Sequence, residues 1–203
     1  MAGWTQHQGL AVGLPLENVD TDQLIPARFM SAPRSQGYGG FLLYDLSHDE
    51  DGSPRPDFPL NARQAEGASV LVARRNFGGG SSREAAVYAL VDAGFRAVVA
   101  PSFGDIFAGN AVNNGLLPAR VSERDAASLL AASPAPVRID LERGTIALGE
   151  RHLGFELDPV WRLKLINGWD DIDLTRAHAA EIADYAKARR AARPWLWPQS
   201  GGA

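Results

Sequence analysis

The sequence predicts an α/β fold, and the main evidence is a strand–helix–strand pattern near its centre. The run Val70–Ala73 is apolar and β-branched, and Arg96–Ala100 ends in the same kind of run. Between them, Ser82–Ala93 carries apolar residues at helical spacing and is followed by Gly94, a typical helix stop. Because two strands joined by a helix pair in parallel through a right-handed crossover, this pattern predicts a parallel sheet.

The remaining elements are predicted from periodicity, caps and breakers. Before the centre, we expect a strand at Leu10–Leu16, a polar turn at Asn18–Pro26, loops at Ser31–Gly40 and His48–Pro59, and a strand or helix at Phe41–Leu46. After it, we expect helices at Asp105–Asn114, Glu123–Ala132 and Asp158–Asn167, strands at Leu116–Val121, Val137–Leu141, Thr145–Leu148 and His152–Leu157, and a last helix at Arg176–Arg193 capped by Thr175. The length of 203 residues predicts one domain over residues 1–203, with a helical appendage over about residues 158–203.

The composition argues against several classes of protein. The chain has 20 Lys and Arg against 24 Asp and Glu, so it lacks the basic excess of a nucleic-acid-binding protein. It has no Cys, and therefore no thiolate for a zinc ion or an iron–sulfur cluster, and its four His show no metal-ligand spacing. No apolar run reaches about 18 residues, and no secretion signal is recognisable. We expect a cytoplasmic protein with no membrane span, no nucleic-acid partner and no metal of its own.

The most informative segment is Asn76–Glu84, which reads NFGGGSSRE and lies between the first central strand and its helix. Three consecutive glycines allow a tight turn and a close approach of a ligand to the backbone. A helix N-terminus attracts anions through its free N–H groups and partial positive charge. Two hydroxyls, of Ser81 and Ser82, stand there beside the planar guanidinium of Arg83, which suits a carboxylate. The segment therefore predicts a site for a small carboxylic acid.

Plainer interpretations remain open for the same residues. Ser81 and Glu84 have the spacing of a capping box, which would make the segment a well-capped helix start and nothing more. A nucleotide site is another alternative, although the spacing is neither that of a Walker A loop nor that of a dinucleotide fingerprint. By residue type alone, Thr21 and Asp22 belong to a local Asx-type turn, and Arg28 is a solvated surface group.

Five blocks of sequence in the same order resemble one known family. The blocks are Asn18–Pro26 (NVDTDQLIP), Asn76–Glu84 (NFGGGSSRE), Phe95–Phe107 (FRAVVAPSFGDIF), Asn114–Pro118 (NGLLP) and Asn167–Leu174 (NGWDDIDL). They resemble the small subunits of 3-isopropylmalate dehydratase, in the aconitase superfamily, over nearly the whole chain. The resemblance implies the swivelling β/β/α domain of that family. It also implies a partner, a large subunit that carries a [4Fe–4S] cluster on its own cysteines.

The resemblance also implies a reaction and a set of site residues. Family members remove water from 2-isopropylmalate and add it back to give 3-isopropylmalate, a step of leucine synthesis. In aconitase-like enzymes the first serine of the Ser-Ser-Arg turn is the base, which implies Ser81 as the catalytic residue. Ser82 and Arg83 would then hold a carboxylate of the dicarboxylic hydroxy-acid substrate. A capping role for Ser81 would conflict with catalysis, so the division of labour between the two serines stays open. Thr21 and Asp22 match the family's DTD element near the site and are further substrate-binding candidates. Arg28 is a candidate only because an arginine can bind a carboxylate.

The chain departs from the family pattern at several positions. Gly79 stands where the family usually has Cys, Ala85 where it usually has His, and Arg74 where it usually has Gly. The loop Phe29–Tyr38 is expected to set substrate choice, and its usual basic-Arg-Thr-Gly pattern is altered. These departures leave open a divergent paralogue acting on another alkyl malate or citrate-like acid, a non-catalytic assembly subunit, and a free-standing anion- or nucleotide-binding module. The candidate specificity residues of the loop are Phe29, Met30 and Arg34.

Overall fold

A computed structural model describes residues 2–197, so the parts of the predicted domain and appendage at residues 1 and 198–203 lie outside the described residues. The strands are β1 Gln6–Leu14, β2 Ala68–Ala73, β3 Ala97–Ala100, β4 Leu117–Arg120, β5 Ala135–Asp140, β6 Thr145–Leu148 and β7 Arg151–Gly154. They form one sheet in the order β4-β3-β2-β1-β5-β6-β7. Strands β1 to β4 pair in parallel, and β5, β6 and β7 add antiparallel strands at the other edge. The α/β class and the parallel centre are confirmed.

Eight α-helices connect or flank these strands in residues 2–197. They are α1 Thr21–Leu24, α2 Tyr44–Ser47, α3 Glu84–Asp92, α4 Asp105–Asn113, α5 Glu123–Ala132, α6 Pro159–Asn167, α7 Asp171–Arg176 and α8 Ala179–Ala192. The segment Phe41–Leu46, for which a strand or a helix was expected, is the end of a 3-10 turn followed by most of α2. Within the described part of the chain, no helix is both long and apolar enough to cross a membrane.

The central strands are buried on both faces, which explains why their sequences are continuously apolar. Successive strand side chains point to opposite faces. Val70 and Val72 therefore pack in one buried cluster with α5, whereas Leu71 and Ala73 pack in a second cluster with α3 and α4. This double burial fixes the position of α3 on the sheet, and with it the turn that precedes the helix.

The boundary of the compact unit differs from the prediction. One unit spans Met1–Trp169 and a second spans Asp170–Ala203. Helix α6, which was expected to open the appendage, therefore belongs to the first unit. Its Leu165 is 1% exposed, and the Leu165 carbonyl accepts a hydrogen bond from the backbone N–H of Trp4 at 3.1 Å. Such contacts join residues that are far apart in sequence, so local patterns do not reveal them.

The second unit corrects the prediction of its helix start. The Asp170 side chain accepts from the backbone N–H of Asp173 at 2.8 Å, and the Asp173 side chain accepts in return from the N–H of Asp170. This capping box starts α7 upstream of the predicted cap, so Thr175 lies inside α7 and caps nothing. Helix α8 begins separately after His178, which makes no side-chain cap bond. The acidic pair at the start of α7 therefore overrides the weaker threonine signal.

Candidate active site

The glycine-rich turn lies at the carboxyl ends of neighbouring parallel strands. It follows β2 directly, and its backbone is tied to the segment after β3. The N–H of Asn76 donates to the Ser102 hydroxyl at 2.8 Å, and the N–H of Phe77 donates to the Ser102 carbonyl at 3.0 Å. The carbonyl of Phe77 in turn accepts from the N–H of Gly104 at 2.9 Å. Open α/β sheets bind ligands at this edge, because connecting segments from several strands meet there.

The three glycines of the turn differ in what they require. Gly78 has φ +73°, and a Cβ there would lie 2.2 Å from the Phe107 ring, so only glycine fits. Gly80 also has a left-handed φ, of +89°. Gly79 does not, and a Cβ there would lie 3.4 Å from the Asn76 side chain, an ordinary contact distance. The departure from the family pattern at Gly79 therefore leaves the shape of the turn unchanged.

Helix α1 supports the turn through Thr21. Its backbone N–H donates to the Gly79 carbonyl at 3.0 Å, and its hydroxyl donates to the Ser81 carbonyl at 2.9 Å. Thr21 is 2% exposed, so these bonds are shielded from water. A capping box at Asp20 and Gln23 fixes the start of α1. Thr21 thus positions the backbone that carries the two serines.

The predicted capping box of Ser81 and Glu84 is wrong. The chain is still extended at Arg83, with φ −121° and ψ 98°, and α3 begins at Glu84 without a side-chain cap. Ser81 therefore lies too far before the helix to cap it, and the Glu84 carboxylate instead accepts from the Asn114 side chain at 2.9 Å. The hydroxyls of Ser81 and Ser82 are exposed. The conflict between a capping role and a catalytic role for Ser81 is removed.

Arg83 is close to a carboxylate but poorly aligned with it. Its Nη1 lies 2.5 Å from Oδ1 of Asp22, and its side chain is 19% exposed against 52% for Asp22. The N–H directions nevertheless miss the carboxylate oxygen, so this buried nitrogen has no hydrogen-bond partner. The contact is therefore a close charge pair without an aligned hydrogen bond.

Arg28 contacts other residues of its own region. Its Nη1 donates to Asp45 at 2.9 Å, and Nη2 makes a second bond to the same carboxylate. The guanidinium also lies over the rings of Phe29, at 4.5 Å, and Tyr44, at 5.7 Å. Hydrogen bonding to Arg28 lowers the pKa of the Asp45 carboxyl. A substrate carboxylate at Arg28 would have to compete with Asp45.

The candidate specificity loop lies within a segment that leaves the end of α1 and returns to it. The N–H of Leu43 donates to the carbonyl of Leu24 at 3.0 Å, which closes the intervening segment into a loop. Phe29 stacks on Phe41 with ring centroids 4.5 Å apart, and Met30 is 41% exposed. Of the three candidate residues in the loop, Met30 is the apolar side chain most open to solvent.

Arg34 points to the far end of α3. Its Nη2 donates to Oδ1 of Asp92 at 2.9 Å, and Nη1 makes a second bond to that carboxylate. The guanidinium lies 4.5 Å from the ring centre of Tyr88. Sequence patterns did not single out Tyr88 or Asp92 as site residues. The signal was present, because Glu84, Tyr88 and Asp92 stand four residues apart and therefore share one side of α3.

Arg74 and Ala85, the two other departures from the family pattern, lie in different environments. Arg74 is exposed, and its backbone N–H donates to the Leu16 carbonyl at 3.1 Å, a bond that does not depend on the side chain. Ala85 lies in the first turn of α3, where it packs against the buried core. Among residues 2–197, no group of three His, Cys, Asp or Glu is arranged to hold a metal ion.

Comparisons with known proteins agree on one family. The family model for the aconitase C-terminal domain matches residues 1–124. A 3-isopropylmalate dehydratase small subunit from Geobacillus kaustophilus is 44% identical over 202 residues, covering 96% of this chain and all of the relative. One from Anaeromyxobacter dehalogenans is 48% identical over 180 residues, covering 88% and 94% of the two chains. A crystal structure of 3-isopropylmalate dehydratase from Methanocaldococcus jannaschii superimposes with a TM-score of 0.63 at 26% identity, covering 89% of this chain and 99% of that one.

Proposed function

This chain belongs to the family of 3-isopropylmalate dehydratase small subunits, and on that premise we propose that it converts 2-isopropylmalate to 3-isopropylmalate together with a large subunit. The reaction is a dehydration followed by a rehydration, in leucine biosynthesis. The fold is the aconitase-type small-subunit fold. The site for this chemistry is the turn before α3.

One observation carries the proposal: α3 starts without a side-chain cap, beside two exposed hydroxyls and a guanidinium that lacks an aligned acceptor. The N–H groups of an uncapped helix start attract an anion. A substrate carboxylate at this place would be bound by Ser82 and by the paired donors of Arg83. Asp22 would keep the guanidinium near the turn until that carboxylate arrives.

We assign Ser81 as the base. Dehydration removes a proton from a carbon beside a carboxylate and a hydroxyl from the neighbouring carbon, which leaves a double bond. A serine accepts that proton only as an alkoxide, which is disfavoured near neutral pH. In this proposal the charge of Arg83, two residues along the chain, would stabilise a negative charge on Ser81 Oγ. Thr21 holds the Ser81 carbonyl and so fixes the backbone that carries this side chain.

The partner in this proposal is a large subunit with a [4Fe–4S] cluster. This chain has no Cys to ligate such a cluster, so the cluster would lie on the partner. Lewis acid chemistry at the departing hydroxyl would come from that cluster. The exposure of Ser81 and Ser82 fits a site that a second chain completes. The substrate is a small dicarboxylic hydroxy acid.

The remaining assignments follow the same geometry. Thr21 contributes through the backbone of the turn, and Asp22 through the orientation of Arg83. Arg28 would bind substrate only after release from Asp45. Phe29, Met30 and the loop around them would contact the alkyl group of the substrate.

Reconstitution tests the proposal. We expect neither subunit alone to turn over 2-isopropylmalate, and the cluster-loaded pair to do so. A panel of other alkyl malates and citrate separates a divergent paralogue from the proposed enzyme. If the two subunits assemble with an intact cluster but turn over none of these acids, this chain is an assembly subunit and the proposal is wrong. Tight binding of ATP by the isolated chain in calorimetry would favour a free-standing nucleotide-binding module.

A further inference from the structure

Three residues form one stripe along α3. Glu84, Tyr88 and Asp92 stand at intervals of four and therefore lie on the same side of the helix. Glu84 is the first residue of α3 and follows Arg83 directly, whereas Asp92 is the last. Burial and hydrogen bonding with Glu84 raise the pKa of Tyr88. The stripe thus runs from the catalytic turn to the opposite end of the helix.

The far end of the stripe binds the specificity loop through Arg34. Both terminal nitrogens of Arg34 donate to the Asp92 carboxylate, and the guanidinium lies over the Tyr88 ring. The Asp92 side chain is 19% exposed. Its burial favours the neutral acid, but hydrogen bonds from Arg34 and Tyr38 outweigh that effect and keep the pKa of Asp92 below its ordinary value. A two-pronged, partly shielded pair of this kind is stronger than an open surface ion pair.

The loop backbone is fixed at the same place. The N–H of Tyr38 donates to Oδ2 of Asp92 at 2.6 Å, and the Tyr38 hydroxyl donates to the Ala32 carbonyl at 2.9 Å. Gly39 lies so close to the end of α3 that a Cβ on it would be 2.7 Å from the Asp92 backbone. One carboxylate therefore holds both a side chain and a main-chain group of the loop.

We propose that Arg34, Tyr88 and Asp92 form a latch that positions the specificity loop relative to the catalytic turn and so sets the preference for the substrate alkyl group. The inference rests on the proposed function, because it concerns the same substrate. Helix α3 connects the turn to the loop contact, because Ser82 and Arg83 precede its first residue and Asp92 is its last residue. Arg34 then acts as a positioning residue through Asp92, and does not itself touch the substrate.

The first test is Asp92→Asn in the enzyme assembled with its large subunit. Asparagine keeps the size and an acceptor for the Tyr38 N–H, but it loses the charge that pairs with Arg34. We expect KM for 2-isopropylmalate to rise about threefold to tenfold, the range of a partly exposed charge-assisted pair, with kcat little changed. In the same variant, the ratio of kcat/KM for 2-isopropylmalate to kcat/KM for a malate with a smaller alkyl group should fall. The matched control is Asp57→Asn, which removes an exposed pairing with Arg55 at 3.6 Å in another loop.

The second test is the exchanged pair Arg34→Asp with Asp92→Arg. If Arg34 acts through Asp92, each single variant should raise KM, and the double variant should recover part of the loss. If Arg34 touches the substrate, the double variant should be as poor as Arg34→Asp alone or worse. That result would overturn the latch.

Amide hydrogen exchange provides a readout that does not depend on turnover. We expect Asp92→Asn to speed exchange in residues 34–41 while the Asp57→Asn control leaves it unchanged. Faster exchange with unaltered KM and unaltered discrimination would make the pair purely structural and refute the specificity claim. Unchanged exchange in Asp92→Asn would refute the latch itself. A wild-type complex that is inactive on isopropylmalate would refute the proposed function instead, while the exchange result still decides whether the latch exists.

Discussion

The glycine-rich turn before α3 and the loop Phe29–Tyr38 each present an arginine near α3, and the two arginines make different contacts with a carboxylate. Arg83, at the turn, lies beside Asp22 without an aligned hydrogen bond. Arg34, in the loop, makes two bonds to Asp92 and covers an aromatic ring. In the proposed function, Arg83 binds the substrate carboxylate and Arg34 maintains the structure of the loop. Residue type and distance alone do not separate these roles, because both arginines lie within ion-pair distance of a carboxylate.

The same contrast applies to the backbone. At the turn, the main chain is fixed by Thr21 and by glycines, while the side chains of Ser81 and Ser82 stay exposed. In the loop, side chains such as Arg34 and Phe29 make the fixing contacts themselves. A turn whose rigidity comes from backbone contacts leaves its side chains free for chemistry. We therefore expect substitutions at the turn to affect the chemical step and substitutions in the loop to affect substrate preference.

The largest expected effect is that of Ser81→Ala. Loss of a general base costs about a hundredfold to ten-thousandfold in kcat, and assembly with the large subunit should survive. The measurement is steady-state turnover of the reconstituted complex, with assembly checked by size-exclusion chromatography. Ser128→Ala on α5 is the control, since its hydroxyl donates to the carbonyl of Arg124 in the same helix at 3.0 Å.

Ser82→Ala sharpens the assignment of the two serines. A substrate-binding hydroxyl should affect KM more than kcat, and its loss should cost less than loss of the base. If Ser82→Ala abolishes turnover while Ser81→Ala only raises KM, the two roles must be exchanged. Near-normal activity in both variants would remove the turn from the chemistry.

The next effect concerns stability, and it compares two adjacent glycines of the turn. Gly78→Ala places a Cβ against Phe107 at a left-handed φ, so we expect it to lower the free energy of unfolding by about 2–4 kcal/mol. Gly79→Ala has room and an ordinary φ, so its effect should stay within about 0.5 kcal/mol. Chemical denaturation of both variants measures the difference. If both variants lost the same free energy of unfolding, the turn would not be rigid at Gly78.

A lysine scan compares the two arginines directly. Arg83→Lys should lower kcat/KM by about tenfold or more, mainly by raising KM, because a lysine cannot bind a carboxylate with a planar fork. Arg34→Lys should cost less, since a lysine can still pair with Asp92 by charge. Steady-state kinetics of both reconstituted variants provide the test. Equal losses would contradict the division between a ligand-binding and a structural arginine.

Sequence patterns predicted those parts of the fold that depend on local signals. Helix α5 follows Ser122 as expected, with the Ser122 hydroxyl accepting from the Asp125 N–H at 3.1 Å. Strand β1, in contrast, starts at Gln6 rather than Leu10, because it pairs with β5 as far as Asp140. That extension depends on a partner strand more than 100 residues away, which no local pattern encodes.

The site shows the same limit. The turn itself could be predicted, because glycines, hydroxyls and an arginine are adjacent in the sequence. The support from Thr21 and the pairing of Arg34 with Asp92 could not be predicted, because each contact joins residues about 60 positions apart. The start of α3 was predicted too early, since Ser81 and Glu84 match a capping box whose geometry the extended Arg83 does not form. Roles that depend on which partner a side chain meets therefore require the structure.

The smallest expected effect is the pH dependence of the pair between Arg34 and Asp92. The pKa of Asp92 is lowered in the folded protein, so the unfolded chain binds its proton first as the pH falls. The pair therefore stabilises the fold above the unfolded pKa of about 3.9, and this contribution disappears as the pH falls through the lower folded value. The difference in unfolding free energy between wild type and Asp92→Asn should be constant from about pH 5 to 8 and shrink below about pH 4. A difference that changes between pH 6 and 7 would instead place a histidine in the latch, contrary to the contacts of Asp92.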